Sequence, residues 1–281
     1  MALLSTDRFW DRVRSGSPMI SDGAMGSELI GQGICAEHVL RTNILDERIV
    51  RSIHDAYIAA GAQFITSNTF GIRGGSDWYS DCLAGANIAL NAAIAASDEI
   101  SVWLSFPPKV VADETNALCG LFDSASIRPL MLLIETCTTL ELAREAIRSA
   151  RLIGPEVLAV TAHFGANGTL PDGATPEEWI KALDGEGVHI MGANCGDSPE
   201  TFVGITSRMR NTTASPLLVQ PSAGLPTKDR TGGWRYSVEP VRFAQAAVKL
   251  RDAGATIVGG CCGVTPTHIA AARSRLLQPQ G

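Results

Sequence analysis

The 281-residue sequence predicts a (β/α)8 TIM barrel on three observations. Short apolar runs recur eight times. Each run is followed by a turn rich in glycine, proline or asparagine, and then by a helical pattern. The polar and thiol-bearing residues gather just past the ends of the runs, where a barrel of this kind builds its sites.

The runs occupy residues 18–21, 64–67, 102–105, 130–135, 157–163, 188–192, 217–220 and 256–260. They are continuous rather than alternating, as expected of strands buried on both faces of a parallel sheet. Helical patterns fall at 46–61, 139–154 and 240–254, and the first and third close on Gly61 and Gly254, ordinary helix stops. Residues 83–96 are alanine-rich but carry two asparagines, so they read as a helix packed on a sheet, not a membrane span. The segment before Met19, with Arg8 to Val13, is expected to form a helix within 1–17 that caps the barrel bottom. The whole of 1–281 is expected to be one domain. The competing architecture is an open doubly wound sheet, and it lacks a Gly-x-Gly-x-x-Gly opening a helix after the first strand.

A net charge of −6 and the absence of any basic run argue against nucleic acid or an anionic membrane as partner. The first residues, MALLSTDRFWDRVRSG, mix acids with arginines and have no apolar stretch of signal-peptide type, so a cytoplasmic protein is expected. Seven cysteines, at 35, 82, 119, 137, 195, 261 and 262, are odd in number and scattered. That pattern suits free or metal-bound thiols in a reducing compartment better than a disulfide framework.

The thiols single out one constellation. Cys195 follows the sixth run in Ala-Asn-Cys-Gly, and Cys261-Cys262 follow the eighth between Gly260 and Gly263. If both runs end at one rim, three thiolates can share one ion, and zinc suits three sulfurs with a fourth position open. Neighbouring residues of a strand point to opposite faces, so both sulfurs can meet one ion only where the backbone bends. Gly259, Gly260 and Gly263 are expected to permit the bend. Such a centre would hold a substrate thiol as thiolate and favour alkyl transfer to sulfur. Two plainer readings of the vicinal pair are packed cysteines and a strained disulfide. Cys35, Cys82, Cys119 and Cys137 read as packing or surface residues.

DGAMGSEL, SNTFG, LLIET, GANCG and GGCCG, in that order, resemble the homocysteine S-methyltransferase family from about Ile20 to Ala271. The resemblance implies a zinc ion on Cys195, Cys261 and Cys262, homocysteine bound to it through sulfur, and methionine as product. It implies that Asp22, Gly23, Ala24 and Glu135 hold the amino-acid end. Two carboxylates suit an α-ammonium, and glycine-turn N–H groups suit a carboxylate. Ser67, Asn68 and Asn194 are expected to complete the substrate site.

The resemblance leaves several methyl donors in play: S-methylmethionine, S-adenosylmethionine, a betaine-like onium, or a methylated corrinoid on a separate protein. A corrinoid-linked demethylation component and a non-catalytic zinc or thiol sensor are the alternatives. Where the family usually has a glycine-rich turn after the third strand, this chain has Ser105-Phe106-Pro107-Pro108-Lys109, a stiffer loop expected near the donor. Ser222 stands where the family usually has asparagine. His163 and His268 are expected to be structural. Trp78, Tyr79, Trp234 and Tyr236 are candidates for an aromatic wall, or for simple loop anchors.

Overall fold

The apolar runs assemble as eight parallel strands in the order β1-β10-β7-β6-β5-β4-β3-β2. These are β1 (Met19–Ile20), β2 (Phe64–Thr66), β3 (Ser101–Phe106), β4 (Met131–Cys137), β5 (Val157–Ala162), β6 (Ile190–Cys195), β7 (Leu217–Pro221) and β10 (Ile257–Val258). Two short antiparallel strands, β8 (Thr227–Lys228) and β9 (Trp234–Arg235), form a hairpin in the excursion after β7. A parallel bridge between Ser21 and Phe64 joins the two end strands into a barrel. The computed structural model describes residues 5–71, 78–96, 99–124, 131–228 and 234–278. Leu130, the first residue of the fourth predicted run, and the outer ends of the 1–17 and 1–281 spans lie outside these residues.

Side-chain alternation sorts the barrel interior into levels. Met19, Phe64, Trp103, Leu133, Ala159, Ile190, Leu218 and Ile257 form an apolar lower level. The helix Thr6–Ser15 plugs it from below through Phe9, which meets Phe64 and Trp103 edge-on at 6.0 and 6.5 Å. Phe64 stacks on Trp103 at 5.4 Å. Two residues further along, the same inward face turns polar in six strands, at Ser21, Thr66, Ser105, Glu135, Thr161 and Gln220, because the strand period is two; β6 and β10 have Gly192 and Gly259 there, and β6 turns polar two residues later at Asn194. Ser105 bonds Glu135 and Thr161 bonds Asn194 across neighbouring strands, while Asn194 reaches Glu135 past β5 and Gln220 reaches Ser21 past β10. The polar level is therefore built on the same inner face, one pleat higher in six strands and two pleats higher at Asn194.

The helical patterns become Glu47–Ala59, Leu140–Ile153 and Pro240–Asp252, and the alanine-rich segment lies in Trp78–Ala96. No helix among the described residues is long and apolar enough to cross a membrane. Two strands outrun the sequence reading by two or more residues at their C-terminal ends. Residues 193–195, read as a turn, continue β6 in register with Val219, Gln220 and Pro221. β4 extends to Cys137 through an irregularity between Ile134 and Cys137. Glycine and asparagine masked the strand signal in the first case, because tertiary pairing outweighs their low β-propensity. His268 completes a capping box with Thr265 at the last helix and bonds the Val238 carbonyl at 2.8 Å.

Candidate active site

Cys195 ends β6, while Cys261 and Cys262 lie in the turn after β10. Their three sulfurs all fall within 4.8 Å of one another. Cys261 Sγ is 3.9 Å from Cys262 Sγ, far beyond a bond of about 2.05 Å, and every described cysteine is a free thiol. The backbone is fixed on both sides. The N–H of Ser222 donates to the Cys195 carbonyl at 2.8 Å, and the N–H of Cys261 donates to the Pro221 carbonyl at 2.9 Å.

The glycines work differently from the expectation that all three supply dihedral freedom. Only Gly263 has a positive φ, at 76°; a Cβ there would also lie 2.1 Å from the Tyr236 ring. Gly260 is needed for space, since a Cβ would lie 2.2 Å from Val264 Cγ1. The remaining strain falls on Cys195 itself, a non-glycine residue at φ 69°, matched by Thr136 at φ 65°.

Hydrogen bonds from Cys261 and Cys262, then from His163 and Ser222, hold Cys195 far below the ordinary thiol range against its burial. The same contact with Cys195 pushes Cys261 well up and Cys262 up to about 11. Three free thiols held this close offer the soft donor set that suits a soft divalent cation.

The thiols line a cavity of about 260 Å³ together with Gly23, Ala24, Ser67, Asn68 and Glu135. Asp22 and Asn194, expected to touch substrate, lie behind this wall. Asp22 Oδ2 accepts the Thr66 N–H at 2.6 Å, and Oδ1 accepts the Thr66 and Ser21 hydroxyls at 2.8 and 3.3 Å. Asn194 is fully buried, with all four hydrogen-bonding positions of its amide filled. It donates to Glu135 Oε2 (3.2 Å) and Thr136 Oγ1 (2.7 Å), and accepts from the Thr136 N–H (3.0 Å) and Thr161 Oγ1 (2.8 Å). Nothing remains for a ligand, so Asn194 acts by setting the bend of β4 and the angle of Glu135. Asn68 has spent both amide hydrogens, on the Val39 carbonyl and Asn43 Oδ1 at 2.8 and 2.9 Å. Ser67 Oγ is bonded to Thr69 Oγ1 at 2.7 Å, and the Ala24 N–H donates to the Val264 carbonyl at 2.9 Å.

Other expectations shift with the geometry. The strand-3 loop does not line the cavity. Phe106 is buried against Phe122 at 6.0 Å, Pro107 caps the helix Pro108–Asp113, and Ser105 Oγ donates to Glu135 Oε1. Among the described residues, Trp78, Tyr79, Trp234 and Tyr236 also stay off the cavity wall, and the aromatic that lines it is Phe70. The segments 72–77 and 229–233, within the two loops considered for that wall, lie outside the described residues. His163 and Ser222, read as a structural histidine and a departure from the family, both help to lower the pKa of Cys195. Strand order holds the signal that was missed: β5 and β7 flank β6, so the residues just past their ends flank Cys195.

Burial pushes Asp22 up to about 7, against hydrogen bonds from Thr66 and Ser21. Burial also pushes Glu135 up to about 7, opposed by Ser105 and aided by the negative charge of Cys195. Each carboxyl thus binds its proton more tightly folded than unfolded. Its contribution to stability is present below the unfolded value near 4 and is lost as pH rises through about 7. In the presence of chelator, urea midpoints are expected to fall between pH 5 and pH 7.5, with Asp22→Asn removing a substantial part of the fall. An unchanged pH profile in Asp22→Asn contradicts the assignment.

The sequence profile described as homocysteine S-methyltransferase matches residues 19–276. Methionine synthase of Mycobacterium tuberculosis is 26% identical, over 95% of this chain and 26% of that protein. The chain thus spans about a quarter of the length of the methionine synthases it matches. Homocysteine S-methyltransferase YbgG of Bacillus subtilis is 25% identical, over 89% of this chain and 92% of that protein. Among solved structures, the Escherichia coli homocysteine methyltransferase MmuM, apo form, superposes with a TM-score of 0.73 at 20% identity, covering 92% of this chain and 96% of that one. Its metallated form gives a TM-score of 0.72. At that identity the likeness is one of fold.

Proposed function

The chain belongs to the homocysteine S-methyltransferase family, and from that premise we propose that it transfers a methyl group to the thiol of homocysteine, giving methionine, with zinc on Cys195, Cys261 and Cys262. The observation that carries this reading is the cluster of three free thiols on the wall of a cavity that Glu135 also lines, with Asp22 buried behind it. Zinc bound by three cysteinates supplies Lewis acidity that keeps a fourth, substrate sulfur deprotonated at neutral pH.

The protein's own groups bind and orient. Two buried carboxyls near neutrality lack a cation, and an α-ammonium placed beside them restores both to the charged form. Glu135 is the one of the two on the cavity wall, and it is held there by Ser105 and Asn194. Asp22 acts from behind, as a carboxyl that the ammonium ionises and that also ties the end of β1 to β2 through Thr66. With the amino-acid end held at this wall, the substrate sulfur reaches the cysteine cluster. The reaction is a single displacement: the sulfur lone pair forms the new S–CH3 bond as the donor's bond to that methyl breaks, its electron pair leaving with the donor. No protein nucleophile is required.

The test is methyl transfer by the zinc-loaded protein to homocysteine, with S-methylmethionine, S-adenosylmethionine, betaine and a methylated corrinoid protein offered separately. Methionine formed with any one of them supports the reading and identifies the donor. Saturable binding of zinc without any effect of homocysteine on the metal favours a sensor instead. A cytoplasmic location belongs to the same proposal, since reduced thiols are required throughout.

A further inference from the structure

Gln220 lies in β7, in register with Asn194, and it lines the cavity that the three cysteines line. It is 5% exposed. Between β7 and β1 runs β10, which ends just before Gly259. A Cβ at Gly259 would lie 3.3 Å from Gln220 Cγ and 2.7 Å from Ser21 Cβ, so the missing side chain lets Gln220 and Ser21 meet across β10. Gln220 Nε2 donates to Ser21 Oγ at 3.4 Å, and the Ser21 hydroxyl donates to Asp22 Oδ1 at 3.3 Å. That chain orients the amide. Ser21 gives its only hydrogen to Asp22, so it can only accept from Gln220. Nε2 therefore faces Ser21, and Oε1 is left buried without a hydrogen-bond partner. A buried acceptor in that state carries a desolvation penalty until a donor reaches it.

We propose that Gln220 Oε1 accepts a hydrogen from the α-ammonium of the bound amino acid, and so selects a substrate that carries one. The inference rests on the function proposed above and adds a residue to its substrate contacts. Homocysteine bound through a thiolate has one group with hydrogens to donate, its ammonium, and that group has three. Glu135 is on the same wall, and Asp22 is at the far end of the Ser21 bridge. Two carboxylates already outweigh a single positive charge, so a further acceptor is best neutral, as a carboxamide is. A ligand without the amine leaves Oε1 unmet in the complex. A site built to hydrogen-bond a polar group rejects, for that reason, the analogue that lacks it.

The test measures binding of homocysteine and of 4-mercaptobutyrate, the same thiol acid without the amine, to the zinc-loaded full chain by titration calorimetry. Gln220→Leu and Gln220→Met remove the acceptor and keep most of the volume. Both variants are expected to bind homocysteine about 10–100-fold more weakly than wild type, the range of a hydrogen bond to a charged group, with 4-mercaptobutyrate changed less than about threefold. Without ligand, their thermal midpoints are expected to equal or exceed that of wild type, because an unmet acceptor has been removed. Variants that discriminate between the two thiols as wild type does overturn the proposal and leave Oε1 to a buried water. Variants that weaken both thiols equally reduce Gln220 to packing and overturn it too. A zinc-loaded wild type that binds neither thiol overturns the function reading and this inference together.

Discussion

Replacing Cys262 with alanine is expected to abolish detectable methyl transfer and strip the protein of tightly bound zinc, while the barrel remains folded. The size of the effect follows from the ligand count. Zinc sites of four protein ligands are worth about 10–16 kcal/mol in apparent binding, so one ligand carries on the order of 3–4 kcal/mol, or about 10²–10³ in affinity. Losing one of three leaves too few thiolates to hold the ion against a competing chelator. The fold is spared for a local reason: the structural bond at this residue is its carbonyl, which accepts the Ala223 N–H at 2.9 Å and is retained by alanine. Circular dichroism and the thermal midpoint of the chelated protein are expected to match chelated wild type. Retention of full activity with no bound zinc contradicts the mechanism.

Replacing Gly192 with alanine is expected to have the largest effect on the fold. Gly192 pairs with Leu218 in the middle of the barrel wall, and a Cβ there would lie 1.8 Å from the Leu218 carbonyl oxygen. The obstacle is backbone, so no rotamer change relieves it, and β6 or β7 must shift. Overpacking alone costs about 1–3 kcal/mol, and a displaced pair of central strands costs more. For a domain of this size that corresponds to a thermal midpoint lower by roughly 10 °C or to failure to fold. Because Cys195 lies three residues further along β6, zinc affinity is expected to fall with it. Gly204→Ala is the control. It lies in the helix Pro199–Arg210 with open space where its Cβ would go, and the change is expected to stabilise by about 0.5–1 kcal/mol. A Gly192→Ala midpoint as high as that of the control contradicts the packing argument.

These two positions mark how far the sequence could be read. Gly-Gly-Cys-Cys-Gly and Ala-Asn-Cys-Gly exposed the thiol cluster because thiols are rare and their setting was unusual. Strand ends exposed the rim because apolar runs were continuous. What stayed hidden depends on which strands are neighbours. His163 and Ser222 are ordinary residues until β5 and β7 are seen on either side of β6. Asn194 was read as a substrate contact, but the alternation of a strand that runs on to residue 195 points its amide into the barrel. There it meets Thr161, Thr136 and Glu135. The strand-3 loop was expected near the donor from its place after the third strand, yet Phe106 turns into the core and Ser105 serves the site through Glu135. Asp22 was read as holding the amino-acid end of the substrate, and its carboxylate bonds Thr66 and Ser21 behind the cavity wall.

The central claim is that the three clustered thiols hold zinc and present it to the sulfur of homocysteine. Zinc X-ray absorption on the reduced, zinc-loaded protein, with and without homocysteine, tests it most directly. The account predicts three sulfur neighbours and one lighter neighbour without homocysteine, and four sulfurs with it. Three sulfurs unchanged by saturating homocysteine, or a zinc environment without sulfur, would contradict it.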